Sequence, residues 1–387
     1  MKSPEFESPV HDVLVIGAGM AGASVAAHLA EKCPENFSVH LIEREDQPGY
    51  HSTGRSAALF SEIYGSAPVR ALTRASRAFL EHPPESFAAH TLLEPRPTVF
   101  VATAAQAEAF DVMQQQEDIK AGTRWISPAE AAALCPILRA DELIGALIED
   151  ASADIDVHGL HQGYLKRFRA LGGALTLGAD VEAITREGEL WQVKTRVGTF
   201  VAKTVVNAAG AWAGQIGALA GAQDIGLMPK RRTAILVEPP AGMNPARWPM
   251  IMDVGEEFYF KPDAGMLLVS PCDETESPAC DAQPEELDVA IAADRVMTAT
   301  TLQIRRVSHS WAGLRSFVAD RTPVSGYDPK LKGFFWLAGQ GGYGIQTAPA
   351  MAELAASLIL DGTVPARLAD FGVDASALAP DRLLASG

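Results

Sequence analysis

The sequence predicts a mixed α/β protein in two parts, one built on a parallel sheet and the other on an antiparallel sheet. Three observations carry that reading: a strand, glycine turn and helix open the chain, β-rich pieces dominate 226–318, and a second strand, glycine turn and helix close it. A length of 387 residues suggests two domains, or one with a substantial insertion, and 48% hydrophobic residues supply a sizeable core.

The opening strand is His11-Asp12-Val13-Leu14-Val15-Ile16, a short apolar, β-branched run. It breaks into Gly17-Ala18-Gly19-Met20-Ala21-Gly22 and continues as a helix over Ala23 to Ala30. A second strand, Phe37 to Ile42, ends at Glu43 and completes a βαβ unit, whose right-handed crossover makes the sheet parallel. Further on, Ser127-Pro128-Ala129-Glu130 opens a helix through Leu134 with a capping box and proline at the first helical position. Asp156 is placed to cap another, from about His158 to Leu171, which Gly172-Gly173 stops. Val201 to Asn207 reads as a core strand delivering the turn Ala208-Ala209-Gly210. Thr233–Val237, Glu257–Lys261 and Met266–Ser270 read as antiparallel strands. The closing unit is a strand over Gly333–Ala338, the turn Gly339-Gln340-Gly341-Gly342-Tyr343-Gly344, and a helix from about Thr347 to Leu360.

Charge and cysteine content exclude several classes. Lys and Arg number 32 against 48 Asp and Glu, a net charge of −16, and no basic cluster exceeds Lys230-Arg231-Arg232, which argues against a nucleic-acid partner. Cys33, Cys135, Cys272 and Cys280 form no C-x-x-C pair and lie far from paired histidines, so no metal site is expected and a reducing cytoplasm fits. Met1 to Val10 carries Glu5, Glu7 and two prolines in place of a basic flank and apolar stretch, unlike a signal peptide. No run of eighteen apolar residues marks a transmembrane segment.

The first glycine turn carries chemistry because of its context. Gly17 allows the tight turn, Gly19 lets the backbone approach a pyrophosphate, Gly22 lets the helix pack on the sheet, and the helix N-terminus supplies amide donors. Glu43, at the end of the second strand, is placed to accept hydrogen bonds from ribose hydroxyls and disfavours a 2′-phosphate. An ordinary glycine turn is the alternative. The motif alone does not choose between nicotinamide and flavin, but two distant strand–turn–helix units around a β-rich middle suit a clamp on one long cofactor, FAD.

At Gly49-Tyr50-His51-Ser52-Thr53-Gly54-Arg55-Ser56-Ala57-Ala58 the chain resembles the D-amino-acid oxidase superfamily of flavoproteins, most closely its bacterial D-arginine dehydrogenase branch. The resemblance continues through Val206-Asn207-Ala208-Ala209-Gly210-Ala211-Trp212, Pro229-Lys230-Arg231-Arg232, Lys261-Pro262-Asp263-Ala264-Gly265-Met266, Trp311-Ala312-Gly313-Leu314-Arg315-Ser316-Phe317 and Gln340 to Thr347. It implies a D-amino-acid oxidase-like fold: a discontinuous Rossmann-like FAD domain (1–90, 150–225 and 320–387) beneath an antiparallel-sheet substrate domain (91–149 and 226–319). It implies contacts to FAD from Gly17, Gly19, Gly22, Glu43, Arg44, Ser52, Ser56, Ala57, Ala58, Val181, Ala209 and Gly210, and from Gly341, Gly342, Tyr343, Gly344, Ile345, Gln346 and Thr347. The structural alternatives are that Ser56 and Thr53 only cap a helix and that Asn207 only closes a turn.

The activity implied is oxidative deamination: hydride passes from Cα to the flavin, and the imino acid hydrolyses to a 2-oxo acid and ammonia. A guanidinium captures a carboxylate bidentately. Arg315, amid Trp311, Leu314 and Phe317, needs an anionic partner, which a structural ion pair would supply as well as a ligand; the resemblance makes Arg315 and Arg232 the carboxylate clamp, with Tyr64, on a lid, and Tyr259 completing it. Gln346 and the backbone near Gly342 match positions at the amine or flavin. No general base is assigned, since hydride transfer from a neutral amine needs none. Leu59, Ser61, Glu62, Thr98, Met250, Met252 and Gly342 correspond to the side-chain pocket. Thr98 stands where the D-arginine branch has a glutamate and Leu59 where it has a histidine, which points to neutral or hydrophobic D-amino acids or to broad specificity, with Glu62 as the one candidate replacement anion. Oxidation of glycine, an N-methyl amino acid or a 2-hydroxy acid is the alternative within the superfamily, and a non-catalytic flavin-binding subunit the alternative outside it. Motifs leave open whether oxygen or a quinone-type carrier accepts the electrons, and whether the protein is a monomer or weak oligomer.

Overall fold

A computed structural model describes residues 9–383, and the βαβ unit stands at the centre of its first sheet. Up to residue 8, the N-terminal stretch weighed as a leader lies outside the described residues. Val10–Ile16 pairs in parallel with Val39–Ile42 on one side and with Gly198–Asn207 on the other. Ala174–Thr176 extends the parallel order beyond Val39–Ile42. Gly198–Asn207 has two neighbours on its free edge: the hairpin strand Leu190–Thr195 runs antiparallel against its start, and Phe334–Ala338 parallel against its end. The closing strand of the chain therefore joins the sheet begun by the opening one.

The first helix spans Met20–Lys32, three residues earlier than the apolar run suggests, because Gly19 already serves as its N-cap. Eight of its positions, Met20, Gly22 to Ala27 and Leu29, are buried, since the helix lies between the sheet and two further helices, Val157–Ala170 and Ala348–Leu360. Alanine lets three helices approach closely where bulkier residues would hold them apart. Both predicted caps are present: Ser127 and Glu130 exchange capping-box bonds, and Asp156 accepts the Gly159 amide at 2.7 Å.

The second sheet has nine strands, with Met228–Val237 near one edge flanked by Met266–Ser270 and by the long strand Val307–Phe317. It is antiparallel except where Met250–Asp253 runs parallel to Thr98–Thr103. The expected β-rich middle also contains a helix, Glu286–Ala299, whose first-turn Glu286 and Asp288 complement the partial positive charge of a helix start. A three-stranded sheet, built from Leu59–Phe60, Ala153–Ile155 and Leu93–Pro95, lies apart from these two. No helix among the described residues is long and apolar enough to cross a membrane.

Candidate active site

The carboxyl ends of the parallel strands open onto one cavity of about 560 Å³, the position at which α/β sheets bind ligands. Ile16 and Gly17, Ile42 and Glu43, Ala208, and Gly339 each end a strand there. The opposite wall is the second sheet, through Arg232, Ala234, Tyr259, Gly313 and Arg315.

At the sheet end the glycine turn is packed to contact. A Cβ on Gly22 would stand 1.7 Å from the carbonyl oxygen of Gly17, so the helix meets the turn only without one. Glu43 is 8% exposed; its carboxylate accepts the Ala18 amide at 2.6 Å and the Glu45 amide at 3.0 Å, which fixes the turn and leaves acceptor capacity towards the cavity. The Arg44 guanidinium lies over the Trp212 ring at 4.8 Å. Met20 donates its amide to Thr53 Oγ1 at 2.9 Å and Ser52 donates to the Leu314 carbonyl at 2.6 Å, so the 49–56 loop bridges the two sheets along the cavity. His51 faces the same space: Nε2 meets the Glu45 carboxylate at 2.9 Å, the ring packs on Trp212 at 4.5 Å, and Nδ1 is buried without a partner among the described residues. A dinucleotide fits these walls. They offer a glycine cradle, a carboxylate with spare lone pairs and an orphaned ring nitrogen, all on one elongated cavity.

At the other end two arginines lie on neighbouring antiparallel strands, Arg232 opposite Gly313 and Arg315 opposite Lys230. They differ in what holds them. Arg232 is 7% exposed, with Nε donating to the Asp273 carbonyl at 2.8 Å and Nη2 to Glu274 at 3.2 Å. Glu274 also takes a two-pronged contact from Arg321 and a longer one from Lys230; the Arg321 hydrogen bonds first, with those charges, hold its carboxyl down to about 2. Arg315 lines the cavity and makes no ion pair among the described residues. A desolvated guanidinium without an anion is costly, so this position calls for one from outside the chain. Tyr259, 3% exposed, lines the wall beside it. Burial pushes the Tyr64 hydroxyl well above its ordinary range, only partly opposed by Arg315, so it stays protonated and able to donate.

The cavity brings together fourteen of the residues expected at the cofactor: Gly17, Gly19, Glu43, Arg44, Ser52, Ser56, Ala57, Val181, Ala209, Gly210, Gly341, Gly342, Gly344 and Ile345. Five others do not line it. Gly22 is used in packing, and Ala58 turns away at a positive φ with its carbonyl on the Ile155 amide. Tyr343 packs its ring between Phe317 and Tyr64, and Thr347 donates to the Tyr343 carbonyl at 2.9 Å. Gln346 is corrected: its side chain is 3% exposed and spent on the Ser61 backbone and the Thr73 hydroxyl, not turned to a ligand. Tyr64 meets the Tyr343 ring edge-on at 5.0 Å and does not line the cavity either.

The side-chain pocket is corrected more strongly. Thr98 is fully buried and bonded to Ser152 at 2.9 Å, Ser61 donates to Glu149 at 2.6 Å, and Glu62 is paired with Arg77, so Glu62 is no free replacement anion. Met250, Met252 and Leu59 pack into one apolar cluster with Phe100 and Tyr259, which closes the wall where a pocket was expected. Sequence reasoning missed His51, legible as a polar residue inside a quoted block, and Glu274, which nothing local marks because its partners Arg232 and Arg321 lie 42 and 47 residues away.

Compared with known proteins, the chain matches the DAO family, described as FAD dependent oxidoreductase, over residues 12–358. A glycine oxidase from Geobacillus kaustophilus (strain HTA426) is 24% identical over 370 residues, covering 90% of this chain and 93% of the relative. Mitochondrial dimethylglycine dehydrogenase of Mus musculus is 23% identical over 384 residues, covering 94% of this chain but 44% of that longer relative. In fold, the chain is similar to the crystal structure of L-proline dehydrogenase from P. horikoshii, with a TM-score of 0.81 at 23% identity, covering 96% of this chain and 97% of that one.

Proposed function

We propose that this chain, which belongs to the FAD dependent oxidoreductase family and takes FAD as its cofactor, oxidises a small neutral amino acid with one carboxylate, of D configuration or achiral. The observation that carries the reading is Arg315, a cavity-facing guanidinium that pairs with no anion among the described residues. Arg315 takes the substrate carboxylate in two hydrogen bonds, and Tyr64, which stands outside the cavity lining but near enough to feel the Arg315 charge, donates a third once its protonated hydroxyl turns towards the substrate. Tyr259 closes the wall behind the substrate. Arg232, anchored by Glu274, adds positive potential without surrendering its own partner. Held this way, the substrate presents its Cα–H along the cavity and its neutral amine to the glycine turn over 341–345.

Bound FAD supplies the two-electron acceptor for that hydrogen. The glycines of the first turn would take the pyrophosphate, Glu43 the ribose hydroxyls, and the 341–345 turn the flavin end. The packed walls keep water away until the imino acid is released and hydrolysed to a 2-oxo acid and ammonia.

Small size follows from the closed wall. Met250 and Met252 are 1% and 4% exposed and leave little room beyond Tyr259. Thr98, buried on Ser152, offers no carboxylate to a cationic side chain, so the reading departs from the D-arginine branch. A second reading, oxidation of an N-alkylated glycine, is favoured by the same closed wall and by the names of the glycine oxidase and dimethylglycine dehydrogenase relatives. Anaerobic bleaching of the bound flavin by a panel of glycine, sarcosine, D- and L-alanine, D-leucine, D-arginine and lactate tests both. Bleaching by D-arginine or D-leucine in preference to the small substrates, or by none of the panel, overturns the proposal.

A further inference from the structure

Ser61 begins the short segment that carries Tyr64, and all its polar groups are occupied. Gln346 accepts the Ser61 amide at 3.1 Å, donates to the Ser61 carbonyl at 3.4 Å, and is itself fixed by Thr73 at 2.9 Å. The Ser61 hydroxyl donates to Glu149 at 2.6 Å, and the other oxygen of the same carboxylate accepts the Glu62 amide at 2.8 Å. Three residues on, Tyr64 rests on Tyr343, three residues before Gln346. The segment 61–64 is thus docked at both ends on the turn that borders the cavity, and Glu149 bolts it from the second sheet.

Glu149 is an unusual bolt. It is 1% exposed and makes no ion pair among the described residues. The charged groups around it are committed elsewhere: Glu62 and Glu81 share Arg77 from the helix Ala67–Glu81, and Arg124 of the adjoining strand pairs with Asp150. A buried carboxylate served only by neutral donors is costly to keep, and packing alone would be met as well by an apolar side chain.

We propose that Glu149 is a positioning residue: its carboxylate fastens the Ser61–Tyr64 segment over the Arg315 end of the cavity and thereby sets how tightly that end holds a substrate carboxylate. This rests on the reading that Tyr64 meets that carboxylate. Burial pushes the Glu149 carboxyl up to about 7, with the Ser61 and Glu62 hydrogen bonds and Arg77 opposing and Glu62 adding to the rise. Ionised, Glu149 accepts both donors. Protonated, its O–H turned on Glu62 would oppose an N–H, and turned on Ser61 would reverse that bond and strand the Ser61 hydrogen. Grip on the substrate carboxylate is therefore expected to weaken as pH falls through neutrality.

The test uses the FAD-loaded protein and acetate, a carboxylate that cannot be oxidised, with binding read from the flavin absorption spectrum between pH 5.5 and 8.5. Wild type is expected to bind acetate about tenfold more tightly at pH 8 than at pH 6, beyond any change in acetate ionisation. Glu149→Gln is expected to bind about tenfold more weakly at pH 8 and to lose the pH dependence, with flavin content unchanged. Ser61→Ala, which deletes one of the two bonds, is expected to weaken binding in the same direction, and decides the matter if Glu149→Gln does not fold. Wild-type affinity and pH dependence in whichever of these variants folds would overturn the proposal. Arg315→Met and Tyr64→Phe separate the two levels: if either binds acetate as wild type does, the underlying reading of the site has failed and this proposal falls with it. If both weaken binding while Glu149→Gln and Ser61→Ala do not, only the role of Glu149 has failed.

Discussion

The guanidinium of Arg315 lies against Gly342, so close that a Cβ added to that glycine would stand 2.8 Å from Nη1 and 2.9 Å from Cζ. The backbone of the closing glycine turn is thus one face of the slot that holds the arginine. The atoms in the way belong to the far end of a flexible side chain, so an alanine there moves the arginine and leaves the fold intact. Gly342→Ala is expected to keep its melting temperature within a few degrees and its full flavin content, while KM rises roughly tenfold through loss of about 1.4 kcal/mol of carboxylate binding. Steady-state kinetics alongside thermal denaturation checks this; unchanged KM would show that Arg315 does not hold the substrate.

The two arginines are expected to separate on substitution. Arg315→Met removes the cation that has no ion-pair partner among the described residues and should cost about 3–5 kcal/mol in kcat/KM with flavin retained. Arg232→Met leaves Glu274 with Arg321 and Lys230, so its catalytic cost should be smaller, about 1–3 kcal/mol, with a measurable loss of stability. Equal catalytic losses in the two variants would contradict the division of labour.

Glu274 makes the stability of this wall depend on pH. Its folded-state carboxyl is held at about 2, below the ordinary 4.5, so its contribution is fully present above pH 4.5 and fades as pH falls towards 2. Wild type should exceed Glu274→Gln by about 2 kcal/mol at pH 6, and the gap should shrink by roughly half or more at pH 3 and close only below about pH 2. Calorimetric melting at the two pH values measures it, and a constant gap would show that the charge cluster contributes nothing.

The closed apolar wall gives a specificity test. Met252 stands directly across from Tyr259 and beside Phe100. Met252→Ala should open space behind Tyr259 at a cost of about 2–5 kcal/mol in stability. The ratio of kcat/KM for D-leucine over that for D-alanine should rise roughly tenfold, as expected for a methylene or two of new room. A ratio that does not move would place the side-chain pocket elsewhere.

Periodicity in the sequence read local structure well where the pattern was self-contained, as in the βαβ opening and the two capped helices. The Ala67–Glu81 helix carries the same kind of signal, with Val69, Leu72, Thr73, Ser76 and Leu80 buried at helical spacing. Glu286–Ala299 was hidden inside a segment judged by its strands. Position in a family resemblance located the cavity lining better than it located side-chain direction. Gln346 and Thr98 occupy the expected stretches of chain, yet each is turned inward by a polar neighbour, Thr73 or Ser152, that is remote in sequence. Nothing local distinguishes Arg232 from Arg315 either, since the carboxylate that separates them belongs to a loop 42 residues from the first.

The sheet beneath the cavity has a consequence for how the protein comes into being. Val10–Ile16 is flanked by Gly198–Asn207, and that strand by Phe334–Ala338, so the floor joins the first and last quarters of the chain. Closure of such distant pairs is slow compared with the local helices, and a nascent chain leaving the ribosome has no complete floor until its last strand emerges. The cofactor is consequently captured late, by a nearly finished fold. Because it binds that fold and not the unfolded chain, a higher free concentration of the cofactor raises the folded fraction.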